Sequence, residues 1–145
     1  MIYVVSGYFA TFHEGHKEYL DNVIKLMNEN DKLIVIISNH KQFEQKYIDY
    51  NPPFWKLCEP IIKYLDEKIG ISYRIQKSID LDMTQRETLS MIVKQNPNDL
   101  IMFCKDGGEY NKENLPEKDV KGVSFIFLDG KKVANASDIL NIKKR

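Results

Sequence analysis

The chain has 145 residues, of which 43% are hydrophobic, and its 21 Lys and Arg residues balance 21 Asp and Glu residues to a formal net charge of zero. This length suffices for a single domain over 1–145 with a sizeable core, and the charge balance argues against a nucleic-acid or membrane partner. The two cysteines lie far apart in the sequence, so we expect free thiols. The sequence shows no recognisable leader, and no apolar run approaches the ~20 residues that span a bilayer, so we expect a soluble, cytoplasmic protein.

Short runs rich in β-branched residues alternate with longer segments of helical period. The predicted strands are 2–6, 32–38, 71–76, 99–104 and 123–128. This alternation is typical of a parallel sheet covered by helices on both faces. The sequence therefore predicts an α/β fold with a Rossmann-like, doubly wound, five-stranded parallel sheet.

Three helices are predicted between these strands, over 16–28, 54–68 and 84–95. The Asn-Pro-Pro run at 51–53 predicts the start of the second helix. Thr84 and Glu87 have the spacing of a capping box and predict the start of the third. The segments 39–50 and 105–119 are interpreted as loops, and loops of that length often bind ligands.

The most informative stretch is "GYFATFHEGH", residues 7–16, at the first strand-to-helix junction. In an open α/β sheet, ligands bind beyond the carboxyl ends of the strands, where neighbouring crossovers diverge. Gly7 and Gly15 would let a ligand approach the backbone closely. His13 and His16 are three residues apart, so they share one face at the start of the helix and can point at the same group.

The pattern Gly-x-Phe-x-x-x-His-x-Gly-His resembles the signature of the cytidylyltransferase-like nucleotidyltransferases, a superfamily that includes glycerol-3-phosphate and heptose-phosphate nucleotidyltransferases. Two further segments, "SIDLDMTQRETLSMI" and "MFCKDGGEYNKENLPE", resemble other parts of these proteins, so the resemblance covers nearly the whole chain. It implies transfer of a nucleoside monophosphate from CTP or ATP to a phosphorylated small molecule, such as a sugar or polyol phosphate, with release of pyrophosphate. Mg²⁺ would accompany the triphosphate, and a homodimer is compatible with the resemblance.

The resemblance also assigns roles to individual residues. His13 and His16 would donate hydrogen bonds to phosphate in the transition state, and Lys46, with Lys41 as the alternative, would neutralise phosphate oxygens. The implied nucleotide-binding residues are Gly7, Tyr8, Phe9, Gly15, Asp106, Gly107, Gly108, Glu109, Asn135, Ala136 and Ser137. Within that set, the backbone of the double glycine would approach the base or ribose, Glu109 a ribose hydroxyl, and the 135–137 segment the triphosphate tail.

Four positions depart from the pattern of the family that the chain resembles. Ala10 stands where relatives carry Asp or Asn, Trp55 and Tyr110 stand where many carry Arg, and Ala136 replaces a serine. A second hypothesis is therefore a catalytically silent nucleotide-binding relative with a regulatory or assembly role. A third is adenylyl transfer to a flavin or pantetheine phosphate. The two motif histidines have no third partner at metal-site spacing, so no metal held by the protein alone is predicted.

Overall fold

The computed structural model describes residues 1–129 and 142–145. Its strands are β1 (Ile2–Gly7), β2 (Lys32–Ile37), β3 (Ser72–Lys77), β4 (Ile101–Asp106) and β5 (Val123–Leu128). Its helices are α1 (Glu14–Ile24), α2 (His40–Lys46), α3 (Phe54–Asp66) and α4 (Arg86–Gln95). All strand pairs are parallel, in the order β3-β2-β1-β4-β5. The chain therefore reverses its winding direction between β1 and β4.

Alternation along the strands divides the core into two layers. On β1, Tyr3 and Val5 belong to the cluster that packs against α1, α2 and α3, whereas Ile2 and Val4 belong to the cluster that packs against α4. Side chains of successive strand residues point to opposite faces, and both faces of the central strands are covered, so β1, β2 and β4 are largely apolar, whereas the edge strand β3 (SYRIQK) is mostly polar. The structure thus confirms the predicted α/β fold and the helices on both faces.

The segment predicted as a loop over 39–50 contains α2, so that prediction is wrong. Asn39 begins this helix: its side chain accepts from the Gln42 backbone N–H at 2.9 Å, and the Gln42 side chain accepts from the Asn39 N–H at 3.0 Å. A helix of two turns is too short to display an apolar period in the sequence. The reciprocal cap is the signal that could have revealed it.

The capping box predicted for α4 is also wrong. Thr84 bonds to Asp82 instead, and the helix begins at Arg86, after an N-cap residue, Gln85, that makes no side-chain capping hydrogen bond. The first-turn N–H groups of Glu87 and Thr88 are bound by the carboxylate of Asp80, at 2.8 and 3.0 Å. A residue well before the helix therefore satisfies the donors that a local cap would otherwise bind.

Helix boundaries shift slightly elsewhere. The first helix runs from Glu14 to Ile24 rather than over 16–28, because His13 caps it directly. The second begins after Pro53, and the Asn51 side chain donates to the His40 carbonyl instead of capping. Within residues 1–129 and 142–145, no helix has the length and apolar character needed to cross a bilayer. Both cysteines are free.

Candidate functional site

A cleft of about 290 Å³ opens at the carboxyl ends of β1 and β4. This is the point at which the crossover connections diverge to opposite faces, where open α/β sheets bind ligands. One wall consists of the 7–16 motif and the end of α2, and the other of the chain after β4 and the start of α4. Of the predicted site residues, His13, His16, Lys46, Gly7, Tyr8, Phe9, Gly15, Asp106 and Glu109 line this cleft.

The two motif histidines are held in place by the first turn of α1. His13 is the N-cap residue, and its Nδ1 accepts from the Gly15 N–H at 3.0 Å. The Nδ1 of His16 accepts from the His13 N–H at 3.3 Å. The rings stack with centroids 3.9 Å apart and planes inclined by 23°. Because each Nδ1 is an acceptor, each neutral ring carries its proton on Nε2, so the pair offers two adjacent N–H donors.

The His16 ring is largely enclosed by aromatic neighbours. Its centroid lies 5.0 Å from that of Phe9 and 5.9 Å from that of Phe12. Phe9 adopts a positive φ of 50°, which turns the backbone between β1 and α1 and is unusual for a residue with a side chain. Burial lowers the pKa of His16 to about 3, and the positive charges of His13 and Lys46 act in the same direction, whereas the Thr11 carbonyl opposes them. At neutral pH the ring is therefore an uncharged donor.

This depressed pKa predicts how the stability depends on pH. The unfolded chain takes up a proton at His16 near the ordinary histidine pKa of about 6.5, whereas the folded chain does so only near pH 3. The contribution of the neutral His16 ring to the free energy of unfolding is therefore complete above pH 6.5 and is lost as the pH falls from 6.5 towards 3. Urea unfolding at pH 7.0 and 4.5 should show a larger loss of unfolding free energy for the wild type than for His16→Asn. Equal losses would contradict the burial of this ring.

Of the two candidate lysines, Lys46 and Lys41, Lys46 reaches the cleft. It is the last residue of α2, and its Nζ lies 4.2 Å from the Tyr8 ring centroid and 5.4 Å from that of Tyr47. The alternative, Lys41, pairs with Glu44 at 3.7 Å and lies outside the cleft wall. Tyr8 makes edge contacts with the Phe43 and Tyr47 rings, so it packs as well as lines the cleft.

The N–H groups of the double glycine after β4, Gly107 and Gly108, are bound within the protein. The Gly107 N–H donates to the Leu128 carbonyl at 2.7 Å, and a Cβ at Gly107 would lie 2.7 Å from that oxygen. The Gly108 N–H donates to the Asp106 carboxylate at 2.9 Å. Neither glycine is among the described residues of the cleft wall. Both N–H groups are thus bound within the protein, Gly107 to β5 and Gly108 to Asp106, and the expectation that these amides approach a base or ribose stays a prediction.

The positions that depart from the resembling pattern fall in two places. Ala10 lines the cleft, and its carbonyl accepts from the Tyr50 hydroxyl at 2.8 Å. Tyr110 also lines the cleft, whereas Trp55 is 60% exposed and lies outside the wall formed by the described residues. The remaining predicted contacts, Asn135, Ala136 and Ser137, lie outside the described residues.

The structure adds two charged residues that sequence reasoning missed, Lys105 and Glu117. The Lys105 Nζ donates to Ser6 Oγ at 3.2 Å and lies 4.9 Å from the Tyr110 ring centroid. Burial lowers the pKa of Lys105, and the carboxylates of Glu117, Glu109 and Asp106 oppose this. The available signals were the position of Lys105 directly after the apolar run of β4 and that of Glu117 at the end of the quoted segment "MFCKDGGEYNKENLPE".

Comparisons with known proteins support the fold. No protein-family model and no curated protein matches the chain. Among solved structures, the chain is similar to a crystal structure of a protein of unknown function from Archaeoglobus fulgidus, with 17% sequence identity and a TM-score of 0.58. That similarity covers 93% of this chain and 94% of the other. At this identity the similarity shows a shared fold.

Proposed function

We propose that this protein is a nucleotidyltransferase that moves a nucleoside monophosphate from CTP or ATP to a phosphorylated small molecule such as a sugar or polyol phosphate. One observation carries the proposal. His13 and His16 are stacked at the N-terminus of α1, each with its proton fixed on Nε2 by a backbone hydrogen bond to Nδ1, inside the cleft at the winding reversal of the sheet. This arrangement suits the binding of a phosphate group.

The proposed reaction is an in-line displacement. An oxygen of the acceptor phosphate attacks the α-phosphorus of the triphosphate, a new P–O bond forms, and the bond to the leaving pyrophosphate breaks. The acceptor phosphate is largely dianionic near pH 7, since its second pKa is about 6, so no general base is needed. The protein's task is to stabilise negative charge on the phosphoryl oxygens.

Each part of that task has a candidate group. The two imidazoles donate from Nε2 while uncharged. Because both rings are already held in place, no reorganisation of these donors is needed when charge develops on the phosphoryl oxygens. The backbone amides and the dipole at the start of α1 favour an anion at the same place. Lys46 supplies a positive charge from the end of α2, on the same wall of the cleft as the motif.

Magnesium would bind mainly through the triphosphate oxygens. Ala10 provides no side-chain oxygen at the cleft wall, and Asp106 and Glu109 are carboxylates that line it, a donor type that suits Mg²⁺. Among the described residues no group of three or more His, Cys, Asp or Glu side chains is arranged to hold a metal ion. The ion would neutralise charge on the departing pyrophosphate.

Pyrophosphate release tests the proposal directly. CTP, ATP, GTP and UTP are each incubated with Mg²⁺ and a panel of acceptors: glycerol 3-phosphate, pentose, hexose and heptose phosphates, flavin mononucleotide and phosphopantetheine. We expect acceptor-dependent release of pyrophosphate with at least one pair, and a covalent nucleotidyl product by mass spectrometry. Calorimetric titration of each triphosphate is run in parallel. The proposal fails if no pair gives pyrophosphate.

The second candidate, a nucleotide-binding protein without turnover, is favoured by one observation. Ala10 lies in the cleft wall without an oxygen ligand at a position where the resembling enzymes carry Asp or Asn. Triphosphate binding without pyrophosphate release would support it. Substituting Ala10→Asp then distinguishes the two candidates further, because a silent protein that lacks only this ligand would gain turnover.

A further inference from the structure

The α4 side of the cleft contains two buried acceptor atoms without donors. Glu117 is 4% exposed and Gln85 is 6% exposed. Glu117 Oε2 and Gln85 Oε1 make no hydrogen bond with any described residue, and both side chains line the cleft. A buried acceptor left unsatisfied costs about 1–3 kcal/mol, so such atoms are rare unless a ligand or water completes them. The two atoms call for donors that come from the cleft.

Lys105 limits which donor can enter. Its Nζ makes one hydrogen bond to a described residue, at 3.2 Å to Ser6 Oγ, and an ammonium group can donate three. The side chain lines the same cleft as Glu117 and Gln85. A cationic ligand amine could donate to Glu117, but it has no lone pair with which to accept a hydrogen bond from this ammonium group.

The surrounding carboxylates exclude an anionic ligand group from this part of the cleft. Glu117, Asp106 and Glu109 all act electrostatically on Lys105, and all of them line the cleft. A phosphate placed here would meet three carboxylates against one ammonium group. A neutral hydroxyl group suits both requirements, since it donates to a carboxylate or amide oxygen and accepts from an ammonium group.

We propose that Glu117, Gln85 and Lys105 form a specificity site that recognises substrate hydroxyl groups, with Glu117 and Gln85 accepting and Lys105 donating. The inference deepens the proposed function, on which it rests for the identity of the ligand. A vicinal diol can come from the ribose of the nucleotide or from a sugar or polyol acceptor. The chemistry of recognition is the same for both sources.

Equilibrium binding tests the site without requiring turnover. To test whether the hydroxyl groups belong to the nucleotide, calorimetry measures the dissociation constants of CTP and 2′,3′-dideoxy-CTP, and of ATP and its dideoxy analogue. To test whether they belong to the acceptor, it measures those of glycerol 3-phosphate and 3-hydroxypropyl phosphate, which lacks one hydroxyl group. We expect the wild type to bind the hydroxyl-bearing member of at least one pair about 10-fold or more tightly, as expected for a hydrogen bond to a charged group.

The variants show whether Glu117 causes this preference. Glu117→Gln keeps the shape of the side chain but replaces a carboxylate oxygen by an amide group, so the preference should fall below about 3-fold. Lys105→Met should reduce it too, and it provides a second variant if the first does not fold. Glu113→Gln is the matched control, since Glu113 is exposed in the same loop and outside the described cleft wall, and it should keep the wild-type preference.

The outcomes separate this inference from the proposed function. An unchanged preference in folded Glu117→Gln and Lys105→Met, or no preference in the wild type for either pair, overturns the specificity site. Pyrophosphate release can persist in that case, and the proposed function would stand. A preference that depends on Glu117 in a protein that releases no pyrophosphate with any pair would support the site and overturn the transferase activity.

Discussion

Replacing His16 by Asn is expected to lower kcat for pyrophosphate release by about 10²–10³-fold, the usual effect of removing one preorganised donor from a site of developing charge. The asparagine Oδ1 can occupy the place of Nδ1, which accepts from the His13 N–H at 3.3 Å. The cap of α1 is therefore preserved, while the distal Nε2–H donor is lost. Initial rates at saturating triphosphate and acceptor measure the effect.

His16→Gln is the matched control, because its Nε2 can reach the position of the imidazole Nε2 while the Nδ1 acceptor disappears. This variant should retain more activity than His16→Asn but show a lower melting temperature. Both variants lose contacts with the Phe9 and Phe12 rings, so both should be somewhat less stable than the wild type. If His16→Asn retains full kcat, the proposed role of the ring as a donor is wrong.

Replacing Asp80 by Ala is expected to destabilise the fold by about 2–4 kcal/mol, the combined effect of losing a helix cap and leaving buried donors unsatisfied. Asp80 is 2% exposed, and its carboxylate accepts from the N–H groups of Glu87 and Thr88 and from the Thr88 hydroxyl. The two N–H groups belong to the first turn of α4, where the helix itself offers them no backbone acceptor. The free energy of unfolding in urea measures the loss.

Asp82→Ala provides the comparison for Asp80. Asp82 is exposed and binds the N–H and hydroxyl groups of Thr84, at 2.9 and 2.7 Å, so its removal should cost no more than about 1 kcal/mol. Equal destabilisation by the two variants would show that Asp80 does not act as the cap of α4.

The sheet was predictable because strand burial leaves a direct trace in the sequence. A strand covered on both faces must be apolar at nearly every position, and runs such as 33–37 satisfy this condition. All five predicted strands exist, with shifts of at most two residues at their ends. The position of the cleft followed from the parallel α/β pattern, since the winding reversal of such a sheet leaves a crevice at its carboxyl edge.

The histidine pair was predictable only in part. Three-residue spacing at a strand-to-helix junction places two rings on one face of the helix, and in the structure the centroids of the His13 and His16 rings lie 3.9 Å apart. The acceptor role of each Nδ1 could not be derived from spacing, because it depends on the backbone conformation of His13 and on the rotamers of both rings. The depressed pKa of His16 depends in turn on the aromatic side chains that enclose it.

By itself, the sequence determined the class of fold, the edge of the sheet that holds the cleft and the motif on one of its walls. These features come from local patterns, namely continuous apolar runs and fixed spacings, which act within a few residues. The tertiary structure alone decided that Asp80 caps α4, that the double glycine serves the turn beside β5, and that Lys105 and Glu117 face one cleft. Such pairings join residues from different elements, and packing and the burial of charge, rather than spacing along the chain, select them.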